Sequence, residues 1–388
     1  MPDGDTALSA RVVENIANIP ADTWETLSGG GNPFVSYPFL LALEETGCAT
    51  NEAGWLPHHL VVEESDGNIV AAAPLYLKSH SQGEYVFDHG WAHAWERAGG
   101  RYYPKMQVAA PFSPVGGPRL LAGDGPDSDD ARLTLLRALE TVCRKLELSS
   151  VHVTFCTRRE YELMGVADWV QRVGRQFHWH NRGYGSFDDF LGALTSRKRK
   201  MIRKERKKVA EQGISVQPLS GDDIRPEHWD AFYQFYVDTY DRKWGYPYLT
   251  REFFEAAQDR LGEKIVLVMA DYEGLPVAGA LNLRGDDALY GRNWGCLGDF
   301  RFLHFEACYY QAIEYAIAHD LKTVEAGTQG PHKIQRGYEP VQTYSGHFIP
   351  NESFRDAVER FCREEEREVD WEMDAYAEHL PYRQEDND

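Results

Sequence analysis

No apolar run in the chain reaches the roughly 18–20 residues of a membrane-spanning helix. The most apolar stretch, NIVAAAPLYL, is short and reads as a strand. The opening MPDGDTALSA lacks the basic-then-apolar pattern of a secretory leader. The six cysteines, at 48, 143, 156, 296, 308 and 362, form no CxxC pair. Reduced thiols in a cytoplasmic protein are the expectation. His89 and His93 stand four apart, but HGWAH lacks the glutamate of HExxH, so no metal site is expected. P-loop and GxGxxG motifs are missing too. Positive charge is scarce overall: the formal net charge is -20, which opposes the field of a nucleic-acid binder.

What positive charge exists is concentrated. RKRKMIRKERKK, residues 197–208, holds nine Arg or Lys against one Glu. Around it, Leu191, Leu194, Met201, Ile202 and Val209 give a thin apolar stripe. The pattern predicts a helix-rich connector packed along one edge with a cationic face. That face offers a grip on phosphates or is simply solvated.

The 388 residues are enough for two ordinary domains, and the two halves echo each other. VVEESDGNIVAAAPLYL, from Val61, matches LVMADYEGLPVAGALNL, from Leu267, with Asp66-Gly67 and Glu273-Gly274 at an offset of 207. LSARVVE and ISVQPLS repeat at an offset of 206. Each half reads as strand, two helices, strand, acidic-Gly turn, strand, then a third strand (EYVFDHGW or ALYGRNWG). A long helix (128–147 or 301–319) and a last strand, SSVHVTF or LKTVEA, complete each unit. An offset held through several elements marks an internal repeat.

This is the element order of the N-acetyltransferase (GNAT) fold, so the expected class is α+β: two tandem GNAT units, each a mixed, mostly antiparallel sheet flanked by helices. The expected boundaries are 1–182, a basic connector at 183–213, and 214–388. In a GNAT fold the fourth and fifth strands splay apart to admit a thioester cofactor. The junction that would cradle its phosphates reads RNWGCLG here, one residue longer than [RQ]xxGx[GA]. The first half has no comparable loop, which makes it structural or acceptor-binding.

FLHFEACYYQ, QGPHKIQRGY, PFSPVGGPR and RKRKMIRKER resemble the bacterial family of predicted N-acyltransferases, also described as peptidoglycan biosynthesis/recognition proteins. That family sits with the tandem-GNAT, Fem-like transferases. The resemblance covers nearly the whole chain and implies acyl transfer to an amine. One departure is Pro331, which stands where the family carries an acidic residue before the His.

Acyl transfer to an amine needs a base, donors for the oxyanion and an acid for the leaving group. GTQGPHKIQRGYEP, residues 327–340, offers all three on a glycine-rich backbone that lets a substrate approach closely. Glu325 or His332 would be the base, Lys333 the oxyanion donor, and Tyr338 or Tyr344 the acid. Glu306 is a further acid-base candidate, or a helix-start charge. Arg292, Asn293, Trp294, Gly295 and Gly298 would line the cofactor, with Arg199, Arg203 and Lys204 on its phosphates. Gln329, Arg336 and Tyr344 would meet the substrate. His304 reads as a core histidine and Cys296 as core packing. The expected donor is acyl-CoA, with aminoacyl-tRNA as the alternative, and the acceptor is a small-molecule or peptide amine. A non-catalytic binder of cell-wall or nucleic-acid fragments is the rival of another class.

Overall fold

The computed structural model describes residues 8–242, 245–327 and 330–383. The chain divides into two compact units. Unit 1 holds the chain up to Gly174 together with Gln342–Asp370; unit 2 holds Arg175–Val341 and the chain from Trp371 onward. The segment 342–370, expected in the second half, thus packs with the first.

Unit 1 begins with β1 (Ser9–Val13), α1 (Ala21–Ser28), α2 (Tyr37–Glu45), β2 (Trp55–Pro57), β3 (His59–Glu63), β4 (Ile69–Ala73) and β5 (Leu75–Lys78). Next come α3 (His89–Arg97), β6 (Lys105–Val108), α4 (Ser128–Lys145), β7 (Val151–Cys156), α5 (Arg158–Val166) and the start of β8 (Val170–His180). β1, β3 and β4 form a small antiparallel sheet; β5 pairs antiparallel with β6, and β6 parallel with β7. The strand expected at EYVFDHGW is not there. Glu84 and Asp88 turn inward to bind the buried Lys105, and a helix starts at His89. Lys105–Val108 fills the strand position instead.

One face of the unit 1 sheet is apolar: Met106, Val108, Val151 and Val153 meet Leu135, Leu136 and Leu139 of α4. Strand alternation puts Lys105, Gln107, His152 and Thr154 on the other face, where they too are buried.

Unit 2 continues through α6 (Phe187–Ala193), α7 (Ser196–Glu211), β9 (Ile214–Ser220), α8 (Pro226–Arg242), α9 (Arg251–Leu261), β10 (Ile265–Tyr272), β11 (Leu275–Arg284) and β12 (Ala288–Cys296). A helix follows in three pieces: α10 (Leu303–Phe305), a π turn (Glu306–Tyr310) and α11 (Gln311–Ala318); β13 is Thr323–Glu325. β9 to β12 form an antiparallel meander, β13 joins β12 in parallel, and β8 pairs antiparallel with β13. Glu273 (φ 53°) and Gly274 (φ 79°) close the β10–β11 turn. Two positive φ values in a two-residue loop match the right-handed twist of the strands it joins. The core packs Ile313, Ala316 and Ile317 on Leu289 and Val324, with Leu191, Leu194 and Ile202 from the basic connector.

The last strand, β14 (Glu339–Phe348), leads into α12 (Glu352–Ala377). Tyr344–Phe348 pair with β7 in unit 1, while His178–His180 of β8 pair with β13 in unit 2. Each repeat therefore sends its final strand to the other repeat's sheet.

Candidate active site

The parallel pairing of β12 with β13 ends at Tyr290↔Glu325, while β12 runs on to Cys296. Just past that last pair β12 carries one extra residue. Leu281 pairs with Asn293 and Asn282 with Gly291, so Arg292 is the bulged residue. A bulge twists the strand and re-aims its side chains. Gly291 keeps the strands close where they part: a Cβ there would stand 3.3 Å from Glu325 O.

The gap opens into a pocket of about 90 Å³. Arg292, Asn293 and Trp294 line it from β12, Ala326 from the end of β13, and His304, Cys308 and Tyr309 from the helix. His304 stacks edge-on to Trp294 and Tyr309, with ring centroids 5.4 and 5.3 Å apart. The π turn spans Cys308 and Tyr309 and so shifts which side chains face the opening.

The loop beyond the strand folds into a 3-10 helix, Pro331–Arg336. His332 Nε2 is 2.9 Å from Tyr309 Oη. Lys333 is only 2% exposed and donates from Nζ to Gly327 O at 2.7 Å. Burial lowers its pKa to about 8, against a small opposing effect of Cys308. Burial, then the nearby Arg336 and Lys333 charges, lower His332 below its ordinary value. Arg336 is buried: Nη1 donates to His332 O at 2.9 Å, Nη2 to both carboxylate oxygens of Glu205 on α7 at 2.8 and 3.0 Å. Its Nε donates to Tyr310 Oη at 3.0 Å. Past the loop, Tyr382 Oη donates to Gly337 O at 2.6 Å. Glu325 faces His178 of β8, with Oε2 3.9 Å from Nε2.

A family model described as peptidoglycan biosynthesis/recognition matches residues 15–384. The chain belongs to the FemAB-like family. No curated protein matches it in sequence. Among solved structures, the FemAB-like chain is similar to FemX, at TM-score 0.52 and 13% identity over 80% of this chain and 92% of that one. L-PGS from Bacillus licheniformis also gives TM-score 0.52, at 11% identity, covering 83% and 95%. A tandem GNAT protein from the clavulanic acid biosynthesis pathway gives 0.50, at 11% identity, covering 89% and 99%. At such identities the likeness shows the fold alone, and that fold is the tandem GNAT expected from the repeat.

In this FemAB-like chain several expected site residues stand elsewhere. Glu306 is buried and bonded to Arg206 Nε and Nη2 and to Gln311 Nε2, all within 3.1 Å. Tyr338 is fully buried in the core, its ring 5.5 Å from that of Tyr309. Tyr344 belongs to unit 1, where it packs on Tyr161 and donates to Gln342 Oε1 at 3.1 Å. Gln329 lies outside the described residues. Gly295 serves helix packing: paired with Gly279 across the strands, it lies under α8, where an added Cβ would stand 2.2 Å from Phe235 O. A Cβ on Gly298 would press on the Phe300 ring at 2.6 Å, and its carbonyl accepts from Cys296 Sγ at 3.2 Å. On α7, Arg203 pairs with Asp188 at 2.8 Å, Arg199 reaches Ser196 Oγ at 3.3 Å, and Lys204 is exposed. Sequence reasoning missed His178, Cys308, Tyr309, Glu205 and Tyr382. Only the long-range pairing brings them to the site.

Proposed function

We propose that this FemAB-like chain is an N-acyltransferase that moves an acyl group from acyl-CoA to an amine, with its chemistry in unit 2. The observation that carries the reading is the opening beyond Tyr290↔Glu325, with Arg292 bulged beside it. A thioester arm needs a gap in the sheet where backbone groups are released from strand pairing. The amine would attack the thioester carbonyl, forming a C–N bond as the carbonyl oxygen becomes an oxyanion. Lys333 gives one N–H donor to Gly327 O, and in this reading it would turn another to that oxygen. His332, held neutral at neutral pH, would take the amine proton, and Tyr309 fixes its ring. Collapse breaks the C–S bond and releases the CoA thiolate, which is protonated from solvent. Glu325 beside His178 is the alternative base. The acceptor class that fits the family is an amine on a peptide or cell-wall precursor.

A second reading has aminoacyl-tRNA as donor. The exposed Lys200, Lys204 and Lys207 of α7 favour it, as a cationic row suited to a phosphate backbone. Thermal shift and native mass spectrometry with acetyl-CoA, longer acyl-CoAs and aminoacyl-tRNA decide between them. A melting temperature raised by CoA esters, more than by tRNA, is the expected result. Tight tRNA binding with no response to any CoA ester at millimolar concentration reverses the donor. No response to either removes the acyltransferase reading.

A further inference from the structure

The basic helix α7 has an inward face as well as a cationic outer one. Glu205, the single acid in RKRKMIRKERKK, is buried. It accepts Arg336 Nη2 on both oxygens and the Tyr310 hydroxyl on one. Arg336 in turn holds the His332 carbonyl and sits over the Phe305 ring, its Cζ 3.4 Å from the centroid. The next residue, Arg206, bonds Glu306 and Glu314 at 2.7–3.1 Å, tying the same helix to the π turn that carries Cys308 and Tyr309. Lys198 Nζ meets Gln335 Oε1 at 3.2 Å. A connector that only spanned two domains would not need a buried carboxylate. Here the buried charge is fully partnered, and every partner belongs to the loop or to the pocket helix.

We infer that Glu205 is a positioning residue: through Arg336 and Tyr310 it sets the 331–336 loop, and with it the placement of His332 and Lys333, so that α7 is a brace of the site. The inference deepens the proposed function and rests on it for its catalytic meaning, but its geometry is testable without any substrate. Removing one member of such a pair leaves an uncompensated buried partner. The loop should then shift and admit water to Lys333.

The test reads the Lys333 amine directly. Competitive labelling with acetic anhydride across pH, analysed by peptide mass spectrometry, follows its ionisation in the full-length protein. The wild-type midpoint is expected near 8. Glu205→Gln should raise it by roughly one unit or more toward the ordinary lysine value. Glu314→Gln is the control: it weakens the Arg206 contact but leaves Arg336 alone, so the midpoint should stay while the melting temperature falls slightly. Glu205→Asp should restore most of the wild-type value. If Glu205→Gln does not fold, Tyr310→Phe, which deletes one hydroxyl from the same network, carries the test. An unmoved Lys333 midpoint in a folded Glu205→Gln or Tyr310→Phe protein overturns the inference. Once turnover is measurable, Glu205→Gln should lower kcat with little change in donor KM. A wild-type protein with no acyl transfer from any donor would sink the proposed function and leave the labelling result standing.

Discussion

Unit 1 and unit 2 set their parallel-paired strands, β7 and β13, in opposite environments. In unit 1 β7 puts His152 beside Gln107 and opposite His347; in unit 2 β13 puts Glu325 beside Tyr290 and opposite His178. Around His152 the space is filled. Its Nδ1 is 2.7 Å from His347 Nδ1, its Nε2 is 2.7 Å from Ser150 Oγ, and Lys105 bonds Glu84 at 2.7 Å and Asp88. Trp91 of α3 packs edge-on to His347 with centroids 4.9 Å apart. The electrostatics follow. Burial pushes Glu84 up to about 7 and His152 down to about 3. Burial would raise Asp88 as well, but Lys105 holds its carboxyl well below the usual range. In unit 2 the strands part instead, and the bulge at Arg292 opens a pocket. One scaffold thus supports a closed polar core or an open site, depending on whether a helix covers the face and whether the fourth strand bulges.

The largest expected effect comes from removing the charge at the centre of unit 1. Lys105→Met takes away the cation that Glu84 and Asp88 share and leaves Glu84 only Lys78 at 4.0 Å, at a cost of about 3–5 kcal/mol. Urea denaturation followed by tryptophan fluorescence measures it. An unchanged midpoint would mean that this cluster does not hold the unit together.

Lys333→Ala, a buried lysine in unit 2, should behave differently. Turnover falls by about a hundredfold, as for the loss of an oxyanion donor. Folding persists, because the lost ammonium was held at a desolvation cost. A loss of stability as large as that of Lys105→Met would erase the contrast between the units.

The pH dependence sharpens it further. Lys333 must carry its proton to hold an oxyanion, so activity should decline as pH rises through about 8. It should also decline at low pH, as His332 gains a proton below the ordinary histidine value. Lys333→Arg should abolish the alkaline decline, because a guanidinium stays charged. A decline that persists unchanged assigns it to another group.

The smallest effect is expected for Tyr344→Phe. Its hydroxyl meets only Gln342 among the described partners, so stability should change by less than about 0.5 kcal/mol and turnover by less than about twofold. A tenfold loss of turnover would return Tyr344 to the chemistry.

The repeat was legible because strand alternation and the acidic-Gly turns are local patterns. The pocket strand was legible for the same reason: RNWG sits at a recognisable junction. What stayed hidden depends on partners far away in sequence. Glu306 reads as a free acid at a helix start until Arg206, 100 residues earlier, is seen to take it. Arg336 reads as a substrate cation until Glu205 is found 131 residues away. EYVFDHGW alternates like a strand, but its Glu and Asp answer a lysine that the pattern gives no sign of burying. The destinations of β8 and β14 have no local signature at all.

That crossing of final strands has a consequence for the order in which the protein comes into being. Unit 1 is nearly all synthesised by Gly174, yet the strand that completes β7 ends at Phe348. His152 waits for His347, 195 residues later. At roughly 5–20 residues per second the nascent first repeat spends about 10–40 s on the ribosome with one edge open. The second repeat, whose neighbouring strand β8 has already emerged, needs no such delay. On the ribosome, then, the downstream half has its full set of strands before the upstream half does.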